Sequence, residues 1–376
     1  MYYTCSWWCG PDDNCNAAQQ YTQKLLSERR TVFKMRLWIV ILLFCLNACQ
    51  KQPSLYQFTG NAMTMDYRVL IGHPLSTSEQ EQIEATIFTV FQEVNLTYNK
   101  WNPSSELSKL NQLPAYVHTP ISAALSQFLQ KTAEIVQMSQ GKFDPTIETI
   151  QSVWKTHLAE GKTPSPEAIL AAQASTGWKK IHFENQVFWK EHDDTQLDLG
   201  GIAKGLCVDL LVEKLNALDY SNVYVEWGGE IRVSGQHPEN RPWRIYICDC
   251  KNPEVTHAIA IVDLINQAIA TSGDYRQNWT IECKKEKTTY FHIIDPATGS
   301  PLVSQKNTIA SASVRAPTCA YADGLATIAM LFPDLETAKQ WAQELERENP
   351  QLHFWLLTTD GSSYMTNREH SSMLQQ

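Results

Sequence analysis

The feature that most constrains this chain is a change of periodicity past its middle. Up to Leu218 apolar residues recur mainly at helical spacing, and from Val223 onward they alternate. The strongest helical stretch is Gly201 to Leu218, where Ile202, Leu206, Leu210, Leu211, Leu215 and Leu218 follow a helical repeat. Before the change, helices are expected at 76–95, 121–139, 146–160 and 166–174, with strands at 62–71, 180–183 and 187–189. Ser76 and Glu79 have the spacing of a capping box at the first helix. After it, strands are expected at 223–226, 230–234, 243–248, 256–262, 268–273, 288–294 and 310–315. Helices at 319–332 and 335–348 follow, then a hairpin of 353–358 and 363–366 across Asp360-Gly361. No internal repeat or heptad competes with this pattern. It predicts an α+β fold, a largely antiparallel sheet with flanking helices.

Composition narrows the function. With 43% hydrophobic and 10% aromatic residues, the 376-residue chain can build a core rather than stay disordered. Its 31 Lys+Arg against 40 Asp+Glu give a formal charge of −9, which argues against nucleic-acid binding through bulk charge. Ten cysteines are too few for a disulfide-packed scaffold, and five of them fall within the first 49 residues.

Those first residues read as an address. Arg36 is followed by an apolar run from Leu37 to Leu46, too short to span a bilayer, which takes roughly 20 residues, but suited to a secretory signal. The run ends in Leu46-Asn47-Ala48-Cys49, which resembles the lipobox of bacterial lipoproteins. In those proteins the signal is cut before the Cys, and the Cys carries the lipid. A buried apolar strand or helix is the alternative reading of the run. Residues 1–34 lie upstream of a complete signal, so Met35 is the expected start. The other reading is a genuine extension, although Cys5, Cys9 and Cys15 without a nearby His meet no common zinc pattern. Cleavage before Cys49 leaves 328 residues with net charge −11.

The chemistry lies in Gly- and Asp-rich junctions. No P-loop, His-Glu-x-x-His helix or nucleophile elbow is present. Asp198-Leu199-Gly200-Gly201-Ile202-Ala203-Lys204 leads from a strand into a helix, where exposed N–H groups and Lys204 suit a phosphate. A plain Gly-Gly turn with a solvated Lys fits equally. Trp227-Gly228-Gly229-Glu230 is a second junction, read as a turn or a close backbone approach. A third runs from Gly273-Asp274-Tyr275-Arg276 to His292 and Asp295-Pro296-Ala297-Thr298-Gly299. In the fourth, Asp323 and Thr327 share one face of the expected 319–332 helix. Their oxygens suit Mg²⁺ rather than Zn²⁺, unless Thr327 merely bonds back within its helix.

In order and wording these junctions resemble the ApbE family of flavin transferases. Ala62-Met63-Thr64-Met65, the stretch from Trp101 through Glu106 to Asn111, and Gly141-Lys142-Phe143-Asp144-Pro145 extend the resemblance over roughly residues 58 to 365. Where the family often has Met-Gly-Thr, this chain has Met63-Thr64-Met65. The resemblance implies a T-fold-like architecture and Mg²⁺-dependent transfer of FMN from FAD to a Thr or Ser hydroxyl of a target flavoprotein, with release of AMP. A subunit of a sodium-translocating NADH:quinone reductase is a typical target. Carried over by motif, Met63, Trp101, Phe143, Asp144, Asp198, Lys204 and Ile293 are implied FAD contacts. Gly201, Ala320, Asp323 and Thr327 are implied metal ligands, and His292 is the implied catalytic residue beside the reacting phosphate.

The expected organisation is an extension (1–34), a signal peptide (35–48), a lipidated tether (49–57), a flavin transferase domain (58–366) and a tail (367–376). The expected location is the bacterial envelope, with the chain anchored to the membrane through Cys49 and facing the periplasm. Hydrolysis of FAD to FMN and AMP, and flavin binding without catalysis, are the alternative functions.

Overall fold

The computed structural model describes residues 55–248, 258–273, 278–283, 286–303 and 305–366. The 1–34 extension, the signal, Cys49, most of the tether, Cys250, the Asp274–Arg276 junction and the 367–376 tail lie outside the described residues.

An eight-stranded sheet organises the chain. Its order is Tyr56–Ala62, Met65–Ile71, Val223–Trp227, Glu230–Ser234, Ala268–Gly273, Ile309–Ala316, His353–Thr358 and Ser363–Met365. Every neighbouring pair is antiparallel. Alternation along the strands sorts side chains between two cores. Val223, Val225, Ala268 and Ala270 enter the main core, while Tyr224 and Ile269 enter a second core on the opposite face.

Helices cover the main-core face. Thr77–Thr97 contributes Ile83, Ile87, Val90, Phe91 and Val94, and its start carries the expected capping box. Gly200–Asn216 and Cys319–Met330 are buried deepest. Each fully buried Leu or Ile on these helices stabilises the fold by about 1.5–3 kcal/mol before entropy. A two-stranded ribbon, Trp243–Cys248 with Ala258–Leu264, packs Trp243, Ile245, Ile247, Val262 and Leu264 into the second core. A satellite core joins helices Glu148–Ala159 and Pro166–Ser175 to Ile294 of strand Glu286–Asp295, in a three-stranded sheet with Asn278–Cys283 and Ser300–Val303.

The structure departs from expectation chiefly in the following places. The 62–71 strand is a hairpin whose first strand begins at Tyr56, inside the expected tether. Its two-residue turn, Met63–Thr64, has φ of +48° and +67°, the mirror-image turn that matches strand twist. Neither residue signals such a turn. Strand Ser300–Val303 was masked by Pro301, because Pro argues against a strand. Helix Glu106–Asn111 was too short to show a period, and strand Asn278–Cys283 also went unforeseen. Cys207, Cys248 and Cys319 are free thiols. Among the described residues no helix is long and apolar enough to cross a membrane.

Candidate functional site

Two helices meet backbone to backbone. A Cβ on Gly205 would lie 2.3 Å from the carbonyl oxygen of Cys319, so only glycine permits this approach of Gly200–Asn216 to Cys319–Met330. The joint is bonded in both directions. Gly205 N–H donates to Asp323 Oδ2 at 3.0 Å. In return, the N–H groups of Cys319 and Ala320 donate to the two carboxylate oxygens of Asp209 at 2.8 and 3.0 Å. One turn beyond Asp323, Thr327 Oγ1 lies 3.5 Å from the carbonyl oxygen of Gly201 and 3.3 Å from Ser272 Oγ.

The charges at this joint are almost all buried. Asp323 is 2% exposed. Burial pushes its carboxyl above the usual range, and this outweighs the pull of the Lys204 ammonium and the Gly205 N–H. Lys204 donates to Glu230, which is fully buried, and its ammonium lies 3.6 Å from Asp323 Oδ1. The second sequence junction explains how Glu230 gets there. Gly228 and Gly229, at φ +66° and +106°, form a two-residue turn between paired Trp227 and Glu230. That turn returns the chain with Glu230 facing Lys204.

A second charged group sits at the start of the Gly200–Asn216 helix. Asp198 Oδ1 accepts from Gly200 N–H at 2.8 Å, and Asp198 Oδ2 lies 2.8 Å from the Lys100 ammonium. Burial pushes the Asp198 carboxyl up, but Lys100 and these hydrogen bonds hold it below the usual range. Lys100 also pairs with Glu148. Burial works against the Lys100 charge, and the two carboxylates more than offset it.

The remaining implied contacts have distinct settings. Phe143 is buried, with its ring edge 3.1 Å from where a Gly201 Cβ would stand. Trp101 is 70% exposed, with the ammonium groups of Lys100 and Lys155 at 4.9 and 4.6 Å from its ring centre. Met63 stands at the hairpin tip and packs on the main core. Both Asp144 oxygens are engaged within the protein, by Thr146 and by the Trp178 N–H. His292 is half-buried on strand Glu286–Asp295, while its neighbour Ile293 enters the main core.

Thus Gly201, Lys204, Asp323 and Thr327 come together on two helices, with Phe143 against them. Asp198 lies beside them at the helix start. Ala320 joins the assembly through its N–H bond to Asp209. His292 and Ile293 come from a separate sheet. Sequence reasoning missed Lys100, Glu148, Asp209 and Gly205. The signal for Asp209 was visible: it is the one acid within Leu206-Cys207-Val208-Asp209-Leu210-Leu211.

Chemically, the joint offers a carboxylate, a hydroxyl and a backbone carbonyl. These are hard oxygen donors of the kind Mg²⁺ prefers. Among the described residues no three His, Cys, Asp or Glu side chains gather as a metal cage. A cation here would rest on Asp323, Thr327 and Gly201.

Residues 63–351 match the family model described as the ApbE family. A protein from Chlamydia pneumoniae, described as an FAD:protein FMN transferase, is 38% identical over 306 residues, covering 81% of this chain and 93% of its own length. A protein of the same description from Haemophilus influenzae is 34% identical over 304 residues, covering 77% and 84%. Among solved structures, the flavin transferase ApbE from Vibrio cholerae is similar with a TM-score of 0.70 at 27% identity, covering 84% of this chain and 98% of that one.

Proposed function

This chain belongs to the ApbE family, and from that premise we propose that it transfers FMN from FAD to a Thr or Ser hydroxyl of an acceptor protein and releases AMP. The observation that carries the reading is the cross-bonded helix pair, which brings Asp323 and Thr327 to Gly201 and Lys204. Asp323, Thr327 and the Gly201 carbonyl would hold Mg²⁺, with Ala320 beside them. When bound, the ion would neutralise charge on the pyrophosphate.

The protein's own groups supply the rest. The acceptor oxygen attacks the phosphorus on the FMN side. The bond from that phosphorus to the bridging oxygen breaks, and AMP departs with that oxygen. A Thr hydroxyl is a weak nucleophile at neutral pH, so its proton needs an acceptor. His292 takes that role, since a neutral imidazole nitrogen can accept a proton. Lys204 adds fixed positive charge where the leaving phosphate gains negative charge. Exposed Trp101 offers a ring face for a flat ligand to stack on. Met63, Phe143, Asp144, Asp198 and Ile293 complete the FAD pocket in this reading.

The acceptor would be a flavoprotein, such as a subunit of a sodium-translocating NADH:quinone reductase. The enzyme would meet it in the bacterial envelope, tethered by lipid on Cys49 and facing the periplasm.

The test is to incubate the purified chain with FAD, Mg²⁺ and a candidate acceptor. Mass spectrometry should find FMN on one acceptor Thr or Ser, with an equivalent of AMP in solution. FMN and AMP without an adduct would replace transfer by FAD hydrolysis. Tight FAD binding without AMP would reduce the protein to a flavin-binding lipoprotein.

A further inference from the structure

The two helices of the joint run antiparallel and touch at three levels spaced four residues apart. Gly201 faces Thr327, Gly205 faces Asp323, and Asp209 faces the Cys319–Ala320 amides. Residues 201, 205 and 209 fall on one face of their helix, as do 319, 323 and 327 on the other. The first level is the loosest, at 3.5 Å, and at the Asp209 level one carboxylate takes two amides of the facing helix.

Asp209 is costly to keep there. It is 1% exposed, and burial pushes its carboxyl up against the pull of Arg232 and the two amides. Thr318, at the N-cap position of the Cys319–Met330 helix, makes no side-chain cap bond, so Asp209 caps the first amides from the neighbouring helix. A buried ion pair is a weak source of stability compared with apolar packing. What it does supply is register. Arg232 Nη1, at 2.8 Å, fixes the Asp209 carboxylate, and the carboxylate fixes the start of the helix that carries Asp323 and Thr327.

We infer that Asp209, held by Arg232, is a positioning residue for the cation site. It sets the sliding position of the Cys319–Met330 helix, and so the distance between Thr327 and the Gly201 carbonyl. The inference rests on the Mg²⁺ reading of the proposed function.

Mn²⁺ binding, followed by paramagnetic resonance on the full chain without FAD, tests it directly. Asp209→Asn keeps the volume but leaves one helix amide facing an N–H₂ group. Mn²⁺ affinity should fall about 10-fold, in the range that mutating outer partners of metal ligands produces. In the transfer assay the half-saturating Mg²⁺ concentration should rise by a similar factor, and kcat should recover at saturating Mg²⁺. Arg232→Gln keeps both amide bonds and should weaken Mn²⁺ binding in the same direction but less than Asp209→Asn does. A purely architectural role would lower the melting temperature and leave Mn²⁺ affinity unchanged. That result in folded Asp209→Asn overturns the inference. If Asp209→Asn does not fold, unchanged affinity in Arg232→Gln overturns it instead. A wild-type chain that binds no Mn²⁺ overturns the metal reading of function along with it, whereas equal affinities overturn this inference alone.

Discussion

The helix pair that carries Asp323 and Thr327 and the strand that carries His292 are built in different ways. The pair lies in the main core, closed by Gly205 against Cys319 and bonded across in both directions. His292 stands on Glu286–Asp295, whose pairing with Ser300–Val303 shifts register between Tyr290 and Ile294. Alternation along this strand buries adjacent Ile293 and Ile294 on opposite faces, one in the main core and one in the satellite core. Groups that hold charge at fixed spacing are thus set into the most constrained part of the molecule. The group proposed to move a proton sits on a short sheet with an irregular ladder.

The largest expected effect breaks the strand side alone. His292→Ala should slow transfer by about 10²–10⁴-fold, the usual contribution of a positioned base. FAD and Mg²⁺ binding should stay at wild-type levels in equilibrium titrations. A parallel loss of FAD affinity would move His292 from proton transfer to substrate binding.

The next breaks the helix side through packing. Gly205→Ala must part the two helices, because the new methyl would meet backbone at 2.3 Å rather than a yielding side chain. Urea denaturation should show a loss of about 3 kcal/mol. A near-neutral result would mean that the joint is looser than its contacts indicate.

A third effect concerns Asp198, which links the Gly200–Asn216 helix to Lys100 outside the joint. Asp198→Asn should destabilise the protein by about 2 kcal/mol at neutral pH, the scale of a charged hydrogen bond. The wild-type carboxyl titrates below its usual range when folded, so its contribution is complete above the unfolded pKa of about 3.9. It is lost as pH falls through the lower folded value. The gap between wild type and variant should be flat from neutrality to about pH 5 and close below about pH 4. A gap that widens on acidification would contradict the Lys100 pairing. The smallest change serves as a control: Ser76→Ala removes the capping box at the start of the Thr77–Thr97 helix, and should cost about 1 kcal/mol in thermal unfolding with transfer rate unchanged.

Legibility in the sequence followed how local each feature is. The Gly200–Asn216 helix showed itself through its own apolar repeat, and the Ser76 cap through a four-residue pattern. Asp323 and Thr327 were readable as one helix face. Their meeting with Gly201 and Lys204 was not, because it depends on a partner helix more than a hundred positions away. Asp209 stands out in the sequence as an acid among apolar residues, but its purpose shows only when its acceptor role toward the distant helix is seen. At Asp144 the motif implied a ligand contact, but not the local partners, Thr146 and the Trp178 N–H, that hold its carboxylate in place. The Met63–Thr64 turn stayed invisible because its backbone conformation is one that Gly or Asn would normally announce.

The charges that bond across the helix pair also carry a consequence for the order of events. Asp209, Glu230 and Asp323 outnumber Lys204 and Arg232. A pyrophosphate arriving alone would meet a surplus of its own sign, whereas a divalent cation would find attraction and would reverse that sign on binding. If Mg²⁺ binds as proposed, the expected kinetic order is ion first and dinucleotide second, with FAD affinity in a chelator at its minimum.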